Sequence, residues 1–228
     1  MKTSNKLLIG VSILAVASIV LFDTALRAEY LKGDYKLPHY NQTLLPLKDF
    51  NTIENYTSDQ TFLEVSQGNK FEVWVSNGSE KDLTIKVRNY ILSINYTKVN
   101  SNVQHNYFIH VTLPKLACLS THVTKGAKII YMTGNTVVGI LRQDSLRIIS
   151  DAPTSINVTP VFLKKINIAM NQGEINLGGT SNIDTANFNL HNDSKLNIGD
   201  VRIGKLSYQF DSMSKISLSG ASLHQLSR

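Results

Sequence analysis

The C-terminal part of this chain, residues 166–223, repeats itself at a nearly constant interval, and few folds tolerate such a step. An apolar-polar-apolar triplet occurs as Ile175-Asn176-Leu177, Leu196-Asn197-Ile198 and Ile216-Ser217-Leu218, stepping by 21 and then 20 residues. Glu174, Lys195 and Lys215 precede the triplets, and Gly178-Gly179, Gly199-Asp200 and Ser219-Gly220 follow them, so each runs into a small-residue turn. A second series, Ile166-Asn167-Ile168, Phe188-Asn189-Leu190 and Tyr208-Gln209-Phe210, steps by 22 and 20, and a third, Ile183, Ile203 and Leu223, by 20 and 20. Period-two alternation marks short strands, and three of them per repeat describe one rung of a solenoid. One rung cannot bury its own apolar face, so stability must come from stacking. The predicted fold class is mainly β, a single-stranded parallel β-helix solenoid.

Alternating runs at residues 50–53, 62–65, 71–75, 83–87, 92–96, 107–113, 115–123, 127–131, 137–141, 146–149 and 158–163 extend the pattern backwards. Ile53 to Val73 is 20 residues, Val73 to Ile94 is 21 and Leu63 to Ile85 is 22, which predicts the same stack from Phe50 onward. Ser76-Asn77-Gly78-Ser79 between two runs has hairpin composition, but the interval favours a turn between rung faces. Asp151-Ala152-Pro153-Thr154 reads as a further turn. A stack of this kind leaves raw strand edges at its ends, which a partner or a second molecule is expected to cover, so a homo-oligomer is among the expected states.

Ahead of the repeats, Lys2 and Lys6 precede an apolar run at residues 7–22, closed by Asp23 and Arg27. Its sixteen residues reach about 24 Å as a helix, against a hydrocarbon core of about 30 Å unless the flanking charges snorkel. An uncleaved signal-anchor is favoured over a cleaved signal peptide, because Thr24-Ala25-Leu26-Arg27-Ala28 is a poor cleavage site. Lys2 and Lys6 then hold the N-terminus in the cytoplasm and place the rest across the membrane, in the cell envelope on the periplasmic or extracytoplasmic side. Three regions follow: a transmembrane helix at residues 1–28, a juxtamembrane linker with Pro38 and Pro46 at 29–47, and the β-helix domain at 48–228.

The net charge of +6 comes from Lys and Arg scattered among carboxylates, so nucleic-acid binding is not expected. Cys118 is the single cysteine, which excludes an intrachain disulfide and leaves it to pack as a small apolar residue. His39, His105, His110, His122, His191 and His224 show no zinc-like spacing. No phosphate loop, dinucleotide fingerprint or nucleophile elbow occurs. No metal or cofactor is expected.

The chain resembles the bacterial autotransporter-adhesin head family, also called the GIN domain. The resemblance rests on the apolar N-terminal segment, the spacer Ala28-Glu29-Tyr30-Leu31-Lys32-Gly33-Asp34-Tyr35, the opening strand Phe50-Asn51-Thr52-Ile53, the run Leu63-Glu64-Val65-Ser66-Gln67-Gly68-Asn69-Lys70-Phe71-Glu72-Val73, and Leu92-Ser93-Ile94-Asn95-Tyr96. It covers residues 48–223 and implies a right-handed parallel β-helix in a bacterial envelope, with adhesion as the proposed role and no catalytic residue set.

Some β-helix proteins cleave carbohydrate with paired acids, which would have to project from adjacent rungs. The outward centres here are instead Asn167, Asn189 and Gln209 in one series and Asn176, Asn197 and Ser217 in the other, while Asp184, Asp193, Asp200 and Asp211 fall at or near turns. The amides suit a structural ladder or donors and acceptors for sugar hydroxyls. Trp74 is opposite in parity to Phe71, Val73 and Val75, open to a ligand alongside Tyr90, Tyr96 and Tyr107, or to a covering loop. Trp74, Asn167, Asn176, Asn189, Asn197 and Gln209 are therefore the candidate ligand surface. The expected function is non-enzymatic binding to a glycan, envelope polymer or protein. A carbohydrate-active enzyme and a structural envelope spacer are the alternatives.

Overall fold

The fold is that of a computed structural model, which describes residues 3–33, 36, 39–97, 107–123, 134–220 and 222. The expected strand at 127–131, together with His105, Leu223 and His224, lies outside the described residues. The chain divides into two compact units, residues 1–41 and residues 42–228.

The first unit is built on α1 (Thr3–Lys32). Leu, Ile, Val and Ala follow one another without a proline, so nothing interrupts the intrahelical hydrogen bonds. The 30-residue helix is about 45 Å long at about 1.5 Å per residue. The stretch Ile9–Lys32 is long and apolar enough to cross a membrane. Ser18 Oγ donates to Leu14 O at 2.8 Å and Thr24 Oγ1 to Leu21 O at 2.9 Å, which satisfies both hydroxyls within the helix, as a hydrocarbon environment demands. The helix runs past Ala28, so the length limit of the sixteen-residue apolar run does not apply.

Among the described residues, the second unit holds β1 (Gln42–Leu45), β2 (Thr52–Asn55), β3 (Thr61–Gln67), β4 (Glu72–Ser76), β5 (Leu83–Arg88), β6 (Ile91–Tyr96), β7 (Tyr107–Leu113), β8 (Cys118–Thr121), β9 (Asn135–Val138), β10 (Leu141–Ser150), β11 (Ser155–Val158), β12 (Val161–Met170), β13 (Gly173–Leu177), β14 (Ser181–Leu190), β15 (Ser194–Ile198), β16 (Val201–Phe210) and β17 (Lys215–Leu218). They form two open, mixed sheets. Sheet A has nine strands in the order β1-β4-β7-β3-β9-β11-β13-β15-β17, and sheet B has eight in the order β5-β6-β2-β8-β10-β12-β14-β16.

From β8 on, successive strands alternate between the sheets and each pairs in parallel with the strand two ahead. Ile175, Leu196 and Ile216 stand side by side as the intervals predict, and so do Ile183 and Ile203. In β10, β12, β14 and β16 the residues Asp144, Lys164, Asp184 and Gly204 drop out of the ladders. There the alternation changes parity, so each repeat contributes three straight segments. One register differs from expectation. Asn167 pairs with Asn187 and Ile168 with Phe188, so the second series is offset by two residues from the alignment with Asn189. A two-residue slip leaves every side chain on its own face, and the apolar pattern is blind to it.

The N-terminal half departs further. Ile53 lies in sheet B between Leu92 and Leu119, Leu63 lies in sheet A between Ile109 and Thr136, and Ile85 opposes Ile94 antiparallel. The intervals from Ile53 to Val73, Val73 to Ile94 and Leu63 to Ile85 each join residues of different sheets, so they do not mark stacked neighbours. β1, β4 and β5 pair antiparallel, which makes the sheets mixed rather than the all-parallel stack expected. The cause is local. Asn89 and Tyr90 both have positive φ, 52° and 63°, the conformation of a two-residue turn that matches strand twist and closes the β5–β6 hairpin. Ser76-Asn77-Gly78-Ser79 does carry the chain between faces, since β4 belongs to sheet A and β5 to sheet B. β1 falls within residues 29–47, the expected linker, and the expected run at 158–163 is split into β11 and β12 by Thr159 and a cis Pro160.

The inward columns are nearly all aliphatic. Val73, Val111, Val65, Val138, Val158, Leu177 and Ile198 form one column on sheet A, and each is buried. In the next column Thr136 stands between Leu63 and Ile156, and its Oγ1 is buried without a hydrogen-bond partner among the described residues. A buried hydroxyl left unsatisfied costs about 1–3 kcal/mol. Thr136→Val, of nearly the same shape, is therefore expected to raise stability by about 1 kcal/mol, read as a higher denaturant midpoint at unchanged m-value.

Candidate functional site

Alternate residues of a strand face outward, and the sheet A register lines nine of them up across its outer surface. The row reads Leu44, Trp74, His110, Glu64, Val137, Asn157, Asn176, Asn197 and Ser217. Its two halves differ in chemistry.

In the C-terminal half the amides bond to each other. Asn157 Nδ2 donates to Asn135 Oδ1 at 2.8 Å, Asn176 Nδ2 to Asn157 Oδ1 at 3.0 Å, and Asn197 Nδ2 to Asn176 Oδ1 at 2.8 Å and Glu174 Oε1 at 2.6 Å. All four asparagines are half-buried. Their donors and acceptors are committed to a ladder, which favours the structural reading of Asn176 and Asn197.

In the N-terminal half the same face turns aromatic. Trp74 lies between Leu44 and His110, and in the adjacent row Phe62 pairs with Phe108, their rings 5.4 Å apart. Phe108 is 50% exposed and Leu44 46%. Polar groups border the cluster. His110 Nδ1 lies 3.3 Å from Glu64 Oε2, His110 Nε2 lies 3.2 Å from Thr112 Oγ1, and Trp74 Nε1 donates to Glu72 Oε2 at 3.4 Å. Exposed apolar groups rimmed by polar ones mark contact surfaces.

Trp74, Asn176 and Asn197 thus share one row, while Asn167, Asn189 and Gln209 lie on the outer side of sheet B, where they line a shallow groove with Arg147, Asn187 and Ser207. Asn167 Oδ1 accepts from Asn187 Nδ2 at 2.9 Å, so Asn187 holds the place that the sequence intervals assign to Asn189. The tyrosines do not join Trp74. Tyr107 is buried and Tyr90 sits in the β5–β6 turn. The Tyr96 phenol is pushed well above its ordinary value, first by burial and then by the neighbouring Asp59 carboxylate. That of Tyr107 is pushed up to about 12 by burial and by Asp82. Both are structural groups.

Asp193, Asp200 and Asp211 sit between strands, and Asp184 marks the parity change within β14. Asp211 accepts from Asn192 N at 2.6 Å and from Ser214 Oγ at 2.8 Å, and these bonds, the Asn192 amide first, hold its carboxyl down at about 2. It organises the turn into β17. His122 stacks on Tyr56, ring centroids 4.7 Å apart, with Nδ1 3.4 Å from Asp151. Cys118 is half-buried on the outer side of sheet B rather than in the core, because Leu119 takes the inward place. No cluster of three metal-ligating side chains occurs among the described residues.

A family described as "Putative auto-transporter adhesin, head GIN domain" matches residues 49–222. The chain belongs to this family. The GIN domain's match coincides closely with the 48–223 expected from the sequence. A search of curated proteins finds no match. Solved structures similar to this GIN domain include a "putative adhesin" from Bacteroides fragilis, with TM-score 0.47, 13% identity, and coverage of 78% of this chain and 95% of that one. Another "putative adhesin", from Parabacteroides merdae, has TM-score 0.46, 12% identity, and coverage of 78% and 94%. A "putative lipid binding protein" from Parabacteroides distasonis has TM-score 0.42, 13% identity, and coverage of 79% and 94%.

Proposed function

We propose that this GIN domain is a non-enzymatic binding module of the cell envelope, taking its ligand on the aromatic half of the sheet A outer face. The observation that carries this reading is the cluster of exposed Leu44 and Phe108 with half-buried Trp74 and Phe62, beside Glu64, Glu72 and His110. Flat rings suit the C–H faces of a pyranose, and carboxylate and imidazole suit its hydroxyls. A glycan or an envelope polymer is therefore the ligand class. α1 is assigned as the membrane anchor, with residues 29–47 leading into a domain at 48–228 on the extracytoplasmic side. We read the strands from β8 to β17 as a parallel β-helical segment, supported by their alternation between sheets, with the antiparallel strands added at its N-terminal end.

A glycan array paired with sugar-release assays on the full chain tests the reading. Trp74→Ala combined with Phe108→Ala is expected to weaken binding by at least about tenfold, about 1.4 kcal/mol, at unchanged melting temperature. Release of sugar by the wild-type chain points to a carbohydrate-active enzyme instead. Absence of both binding and release points to a structural spacer.

A further inference from the structure

The register gathers cations that are scattered in the sequence. Beyond the parity change, the outer side of sheet B carries three rows across β10, β12, β14 and β16. Lys165 and Lys205 flank Thr185 in the first row, and Arg147 heads the second, followed by Asn167 and Asn187. The third ends on Asn189 and Gln209. No carboxylate stands in any of the three. From the spacing within and between strands, Lys165 lies about 8 Å from Arg147 on the diagonal and about 10 Å from Lys205. All three cations are exposed, and among the described residues none of them forms an ion pair. The carboxylates that border the rows are engaged. Asp144 lies 2.8 Å from Lys164, and Asp184 acts on the same ammonium. Asp151 lies 3.4 Å from His122, and Asp211 accepts from Asn192 and Ser214.

We infer that this face binds an acidic polysaccharide, whose carboxylates are taken by Arg147, Lys165 and Lys205. Asn187 Nδ2 donates to Asn167 Oδ1 at 2.9 Å, which turns the Asn167 oxygen toward Asn187 and leaves its Nδ2 donors on the side of Arg147. Amide and guanidinium donors side by side call for an acceptor between them, and a carboxylate supplies two oxygens that match the guanidinium fork. Lys165 and Lys205 repeat the demand for negative charge across the strands, so the partner carries its carboxylates at intervals along a chain. Beside the cations, Asn189, Ser207 and Gln209 line a groove of about 540 Å³ and offer amides and a hydroxyl to the hydroxyls of the sugars. The aliphatic side chains of these rows, Ile149 and Ala169, are half-buried, so a bilayer finds no exposed aliphatic group to take up there. This face is distinct from the aromatic half of sheet A, and the inference does not rest on the ligand proposed for that half.

The full chain in phosphatidylcholine nanodiscs is expected to bind polygalacturonate, with an affinity that falls steeply as salt screens the charges. The fully methyl-esterified polymer, which has the same backbone without the charge, should bind at least about tenfold more weakly. Arg147→Gln combined with Lys165→Gln should weaken polygalacturonate binding by about tenfold or more at unchanged melting temperature, while Lys86→Gln on β5 leaves it unchanged. Failure of the wild type to bind polygalacturonate overturns the inference, and so does equal binding of the methyl ester or full affinity in the double glutamine variant. Tighter binding to phosphatidylglycerol vesicles than to polygalacturonate would assign the face to a membrane surface. Equal binding of duplex DNA would reduce it to unselective attraction of polyanions. Either result also overturns the inference. If the double variant does not fold, Lys165→Gln alone, at an exposed position, decides.

Discussion

Truncating Phe188 to alanine is expected to lower the stability of the β unit by about 3–5 kcal/mol. Phe188 is 3% exposed and lies in the inward column between Ile168 and Tyr208. Its removal forfeits the transfer energy of the ring and leaves a void that β-strands, tied on both sides by ladder hydrogen bonds, cannot collapse to fill. The neighbouring Ser207 faces the other way and is exposed, so Ser207→Ala should stay within about 0.5 kcal/mol. Equilibrium denaturation of the two variants measures both. Equal effects would mean that the parity of this part of the repeat is wrong.

The second large effect is expected at Gly173, where the chain enters β13. Its φ is +92°, and a Cβ built there would lie 2.5 Å from Thr154 O and 2.7 Å from Ala152 O. Both obstacles are backbone carbonyls of the turn before β11, so no side chain can swing aside. Gly173→Ala carries a backbone strain of about 1–3 kcal/mol and forces the turn apart as well. Gly199 occupies a superficially similar turn, yet the nearest atom to a Cβ there is 3.7 Å away. Gly199→Ala should be neutral or stabilising by up to about 1 kcal/mol, through the lower entropy of the unfolded chain. Thermal melts that order Gly199→Ala at or above wild type and Gly173→Ala well below it would bear this out.

The candidate site was only half legible. The outward parity of Trp74 follows from Phe71, Val73 and Val75, and the Asn176–Asn197 pairing follows from a constant step. Phe62, Phe108, Glu64 and His110 have equally readable parity, but nothing in their spacing brings them to Trp74. That meeting depends on β4 running antiparallel to β7 and on β7 lying against β3, contacts between residues 36 to 46 positions apart in the chain. Tyr96 and Tyr107 look like partners of Trp74 by residue type, but the fold half-buries the first and buries the second elsewhere.

By itself the sequence determined the strand content, the three segments per repeat, the apolar helix and the faces on which most side chains lie. Each of these is a local property, set by alternation, turn residues and the length of an apolar run. The order of strands within the sheets, the two-residue register of the second series and the mixed pairing of β1, β4 and β5 were decided only in the tertiary structure. The reason is that alternation has a period of two and specifies a face, not a neighbour. Where the chain keeps a constant step, the neighbour follows from the step. Where it does not, only the choice among competing ladders over a shared core selects it.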